Sequence, residues 1–187
     1  MKQKSVKILR LIAAIIISVL GRCLCRYFEI PLIGSQIPVL GIAYFMGPIY
    51  GLIVALVSGA ISLIFDFNNV YYIAPVAVAA LLCGNISKHD HFLNNLYHTV
   101  SAICFYGFIE GIILASIVGI TLIDHTPMVY SDNIFKLLEV HDYAVGLCFF
   151  ISELFVVYMD VTWSILILWL VCFLRNPFRK RLERRDT

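Results

Sequence analysis

From residue 37 to residue 65 the chain reads IPVLGIAYFMGPIYGLIVALVSGAISLIF, 29 consecutive residues without a charge. A helix rises 1.5 Å per residue, so a hydrocarbon core of about 30 Å takes about 20 apolar residues to cross. The run is too long for one upright span and marginal for two. Gly47-Pro48 divides it. Proline suits the first turn of a helix, where its missing N–H has no intrahelical partner to lose. The run therefore reads as a short element over 37–46 and a full helix over 48–65.

The rest of the chain has the same character. Of its 187 residues, 61% are hydrophobic and 14% are charged. Soluble domains carry about 45–50% apolar and about 25% charged residues. A water-soluble chain of this size has to cover its surface with more polar groups than are present here. The basic residues are segregated: Lys2, Lys4, Lys7 and Arg10 at one end, and Arg175, Arg179, Lys180, Arg181, Arg184 and Arg185 at the other. Between Arg26 and Arg175 only Lys88 and Lys136 are basic. Such ends mark cytoplasmic flanks of a membrane protein, and no nucleic-acid partner is expected.

Working outward gives one integral membrane domain over 1–187 with segments at 8–24, 37–46, 48–65, 70–84, 99–123 and 145–174. The expected fold is all-α, a polytopic membrane protein with six transmembrane helices and both termini cytoplasmic. The first segment has a basic start but no small-x-small cleavage site, so it reads as an uncleaved span. Asp66-Phe67-Asn68-Asn69 is a tight polar turn. The acidic connection 124–142 holds an apolar patch at 134–138 that suits a short interfacial helix. The positive-inside bias puts the 85–98 loop inside, and the 66–69 turn and 124–142 loop outside. Arg22 and Arg26 then fall near the outer face. Either they snorkel to headgroups or they meet an anionic ligand or partner. The six cysteines are scattered through apolar runs, as small hydrophobes are.

Two stripes of small residues recur at four-residue spacing: Gly47, Gly51, Ala55, Gly59, and Gly107, Gly111, Ala115, Gly119. Residues four apart share a helix face, and small ones let backbones approach closely. Both stripes are expected to pack helices. Three acids, Glu110, Glu153 and Asp160, lie inside apolar spans. A carboxylate facing lipid is costly, so each should face protein, water or a cavity. They serve either as structural glue or as polar groups in a substrate cavity. Tyr106, Tyr71, Tyr72, Phe149 and Trp163 supply aromatic surface for a flat, mostly apolar ligand, alongside those acids. His89, His91 and His98 lack a metal-ligand register. No nucleophile elbow, Walker loop or HExxH occurs, so neither enzyme activity, a metal nor a cofactor is expected.

The stretches PLIGSQIPVL (31–40) and FMGPIYGLIVALVSG (45–59), followed by Ala74-Pro75-Val76 and Leu82-Cys83-Gly84, resemble the substrate-binding (S) component of energy-coupling factor vitamin transporters. The chain length and segment plan resemble that family too. The resemblance implies a vitamin-like ligand taken from outside, a transmembrane coupling subunit and two ABC ATPases as partners. It implies a binding region formed by 29–36, 66–72 and 124–150, and a docking pair at Ala14 and Ser18 on the first helix. The same fold is similar to the membrane part of a cell-shape morphogenesis protein, which leaves a structural scaffold open. An ion-coupled secondary transporter is the third reading, though six helices is few for that task.

Overall fold

The computed structural model describes residues 2–28, 35–89, 92–121, 129–141 and 143–183. Among them every regular element is helical: α1 (Lys2–Tyr27), α2 (Ile37–Met46), α3 (Pro48–Ser62), α4 (Val70–His89), α5 (Leu96–Thr121), α6 (Val129–Glu139) and α7 (Val145–Glu183), with single 3-10 turns at Phe67–Asn69 and Phe92–Asn94. Four of these helices are long and apolar enough to cross a bilayer: those containing Lys4–Cys25, Phe67–Lys88, Leu96–Val118 and Val145–Leu174. The architecture is that of a polytopic helical membrane protein. Its surface agrees, because large apolar side chains such as Ile16, Ile17, Phe105, Phe108 and Leu170 point outward while acids and serines are buried. A soluble fold distributes them the other way.

The 37–65 run breaks at Gly47. That residue has φ 106° and ψ 168°, a backbone region open essentially to glycine alone. Pro48 then starts α3 in its first turn. Gly47 is thus the hinge of the run, with no atom near enough to contact an added Cβ. The turn folds α3 back on α2, so that Gly51 lies against Ala43. Helix α3 stops at Ser62, three residues short of the expected end, and residues 63–65 form a turn. Asp66 caps the next element by accepting from the Asn68 N–H at 3.0 Å. At 10 and 15 residues, α2 and α3 are each shorter than a full span.

Glycine contacts fix how the helices pair. A Cβ on Gly84 would fall on the backbone of Pro48, and one on Gly59 would reach Ile73 Cγ1 at 2.8 Å. These contacts run α3 and α4 antiparallel. Gly107 faces the Tyr158 ring and Gly111 faces Leu154, which makes α5 and α7 antiparallel as well. The Tyr158 hydroxyl donates to the Cys104 carbonyl at 3.0 Å and ties the same pair. Ala55 and Ala115 are buried in their stripes. Gly119 lies on α5, and its surroundings fall outside the described residues.

The glycines differ in what a side chain would strike. A Cβ on Gly51 would lie 2.9 Å from the Cα of Ala43, which cannot move without its helix. A Cβ on Gly111 meets first Leu154 Cδ1, the end of a flexible side chain. Gly51→Ala is expected to cost about 1–3 kcal/mol by overpacking, and Gly111→Ala less than about 1 kcal/mol. Thermal midpoints of the two variants in the same detergent check this, and an equal loss would contradict it.

Candidate functional site

Glu110 and Asp160 lie near the middles of α5 and α7, and Glu153 lies two turns nearer the start of α7. Glu110 is 1% exposed, Glu153 0% and Asp160 2%. Burial this complete demands partners, and the chain provides some of them. Asp160 accepts from the Ser35 N–H at 3.0 Å and from the Ser35 hydroxyl at 2.8 Å. The Ser164 hydroxyl, one turn along α7, reaches Asp160 at 3.5 Å. Glu110 accepts from the Gln36 amide nitrogen at 2.6 Å. Ser18 of α1 donates to the Ser35 carbonyl at 3.4 Å.

These bonds locate the beginning of α2. Ser35 and Gln36 sit level with the middles of α5 and α7, and α2 starts there, inside the bundle. Farther along α2, Gly41 packs against Leu168 of α7. Helix α2 thus runs beside the C-terminal half of α7, from the bundle centre toward one end. A half-length helix starting at mid-depth leaves its N-terminal N–H groups, the positive end of the helix dipole, among the buried acids.

Arg22 completes this group. It is 5% exposed, and its guanidinium lies within electrostatic range of both Asp160 and Glu110. The snorkelling reading is therefore corrected: the side chain turns into the protein. The cause is the face it occupies. Ala14, Ser18 and Arg22 recur every four residues on α1, and all three are buried. The same fact bears on the docking pair. Ala14 and Ser18 face the chain's own interior, Ser18 by a hydrogen bond, so that face of α1 is already occupied. The opposite face, with Ile12, Ile16 and Leu20, is exposed. The side chain of Arg26 and residues 29–34 fall outside the described residues.

A second group lies toward the N-terminal end of α7. Glu153 accepts from the Tyr72 hydroxyl at 3.4 Å and from the hydroxyl of Ser131 on α6. Phe135 of α6 packs on Phe149 with ring centroids 4.5 Å apart. Helix α6 covers this end of the bundle with a buried face of Ser131 and Phe135, leaving Lys136, Leu137 and Glu139 outward. Tyr72 lies within electrostatic range of Asp160 as well as Glu153, so the two groups adjoin.

The remaining aromatic candidates divide. Tyr106 is buried, but its ring packs on Phe92, in the turn before α5, with centroids 5.9 Å apart. Tyr71 is half-buried against the core. Trp163 is 43% exposed and takes no part in either buried group. Glu110, Asp160, Glu153, Tyr72 and Phe149 are thus gathered at adjoining positions, and Tyr106, Tyr71 and Trp163 lie at their margins or beyond. From sequence, Ser35, Gln36 and Ser131 fall only within the broad binding regions 29–36 and 124–150, and Arg22 stands between a headgroup anchor and a contact to an anionic ligand or partner. The spacing of Arg22 with Ala14 and Ser18 was the signal for its burial. For the others, one serine or glutamine in a polar connection carries no mark of its own.

Among the described residues, six buried polar atoms have no hydrogen-bond partner: Arg22 Nη1 and Nη2, Gln36 Oε1, Tyr106 Oη, Glu110 Oε2 and Glu153 Oε1. Native interiors leave few such groups, because each costs about 1–3 kcal/mol, and more when charged. Among the described residues, no cluster of three or more His, Cys, Asp or Glu side chains could hold a metal ion. Comparison with protein-family models, with curated proteins and with solved structures returned no match for this chain.

Proposed function

We propose that this protein is the ligand-binding membrane subunit of an uptake transporter, of the S-component kind, and that it acts without catalysing a reaction. The observation that carries the proposal is the set of four unpartnered polar atoms where α1, the start of α2, α5 and α7 meet: Arg22 Nη1 and Nη2, Gln36 Oε1 and Glu110 Oε2. A scaffold gains nothing from stranded charges in its core, whereas a binding site keeps polar groups unpaired until a ligand pairs them. The half-length α2 supports the same reading. Helices that begin inside a membrane bundle place dipole ends and free backbone groups at a substrate site.

In this reading the chain crosses six times with both basic ends on the cytoplasmic side. The ligand, a vitamin or similar micronutrient, enters from the outer side beneath α6. A separate coupling subunit with ABC ATPases supplies the energy. Its docking surface is on another face than Ala14 and Ser18, which are buried.

The test is uptake by proteoliposomes holding the protein with a coupling module, against a panel of labelled vitamins. Accumulation of one compound that requires both ATP and the coupling module is the expected result. Accumulation without any ATPase would replace this reading with an ion-coupled carrier. No accumulation of any compound, with the complex assembled, would sink it.

A further inference from the structure

The arrangement of the unpaired atoms defines what kind of ligand would satisfy them, granted the ligand-binding reading above. Gln36 donates its amide N–H to Glu110 Oε1 at 2.6 Å. The bond also orients the amide, since a carbonyl oxygen turned toward a carboxylate would be repelled. Two acceptors then remain side by side without donors, Gln36 Oε1 and Glu110 Oε2. Within electrostatic range of Glu110, Arg22 has two donor nitrogens without acceptors. Opposite charges in a medium of low dielectric attract strongly. Arg22 and Glu110 lie within range of each other, yet Nη1 and Nη2 bond to neither Glu110 nor Asp160. The packing holds the two charges apart. Asp160 has its own donors in Ser35 and is fixed to the start of α2. What remains is one buried group with two acceptors and two donors unpaired.

We infer that this group opens to take an amphoteric molecule, with adjacent N–H donors of the amidine or aminoheterocycle type set against Gln36 and Glu110, and an anionic carboxylate-type group set against Arg22. A fork of donors on a carboxylate and an anion on a guanidinium are both charge-assisted pairings with planar matching geometry. A ligand with one of the two features leaves either the donors or the acceptors unpaired.

The test uses the full-length protein in detergent and three matched compounds: 4-amidinobenzoate, benzamidine and benzoate. The readout is the thermal midpoint as a function of compound concentration. 4-Amidinobenzoate is expected to half-saturate at a concentration about tenfold or more below either single-function compound, since each lost charge-assisted pairing weakens binding by about that factor. Arg22→Gln should erase its advantage over benzamidine, and Glu110→Gln its advantage over benzoate. The comparison on the unaltered protein decides the matter even where a variant does not fold. Equal stabilisation by benzamidine or by benzoate would overturn the inference, and so would no stabilisation by any of the three. ATP-dependent uptake of an uncharged compound would overturn it too while leaving the transport reading intact. Failure of uptake with a positive compound series would do the reverse.

Discussion

Asp160→Ala is expected to lower the stability of the protein by about 3–5 kcal/mol, the range for breaking a buried charged pairing by removing one partner. Two donors of Ser35 converge on this carboxylate, and they attach the start of α2 to the middle of α7. Without it the Ser35 N–H and hydroxyl lose their acceptor inside the bundle, and Arg22 loses the nearer compensation for its buried charge. Each of these penalties acts in the same direction. Asp160→Asn keeps an acceptor for the Ser35 N–H and a group to face the hydroxyl, so it should recover part of the loss. Thermal unfolding of both variants in one detergent tests the ranking. An alanine variant as stable as the parent would mean that α2 is held by its apolar contacts alone.

The second large effect belongs to Gly84→Val. A Cβ at this position would clash with both the Cα and the N of Pro48. Neither atom can yield, because Pro48 is the first residue of α3 and follows the Gly47 hinge directly. Close backbone approach is what associates helices in a bilayer, where apolar side chains gain nothing by leaving lipid for protein. Valine therefore separates α3 from α4 at the end where α2 and α3 meet. The expected outcome is loss of the monodisperse species on size exclusion, at a cost beyond the about 1–3 kcal/mol of ordinary overpacking. Gly84→Val eluting and melting like the parent would contradict this contact.

How much of this was legible beforehand follows from what a sequence records. Span positions come from length and hydropathy, and these were readable: Gly47-Pro48 does divide the long run, and the apolar patch near 134–138 does lie in a helix, α6. Orientation about a helix axis is another matter. In a bilayer, lipid-facing and core-facing positions are both apolar, so α1 gives little indication of which side turns inward. Ala14 and Ser18 read as a seat for another subunit, and in the structure both are buried within the chain, Ser18 bonding to Ser35. Arg22 read as a headgroup anchor because its position near a span end allowed it. Its burial follows from Asp160, 138 residues away, which no local pattern discloses. Trp163 reads as aromatic surface for a ligand, yet it is largely exposed, as a tryptophan on a lipid-facing position of α7 is. Glu110, Glu153 and Asp160 were visible because an acid inside an apolar run stands out against any background. Their partners, Ser35, Gln36 and Ser131, did not stand out, since serines and glutamines in connections are ordinary.

The central claim is that the interior junction of α1, α2, α5 and α7 holds a small molecule. Native mass spectrometry of protein extracted under mild conditions, followed by release and identification of what it carries, tests that claim most directly. The account predicts one small polar compound in stoichiometric amount, lost from Arg22→Gln protein that elutes like the parent. The unaltered protein, freshly extracted and supplied with a vitamin mixture, appearing only at its bare mass would contradict it.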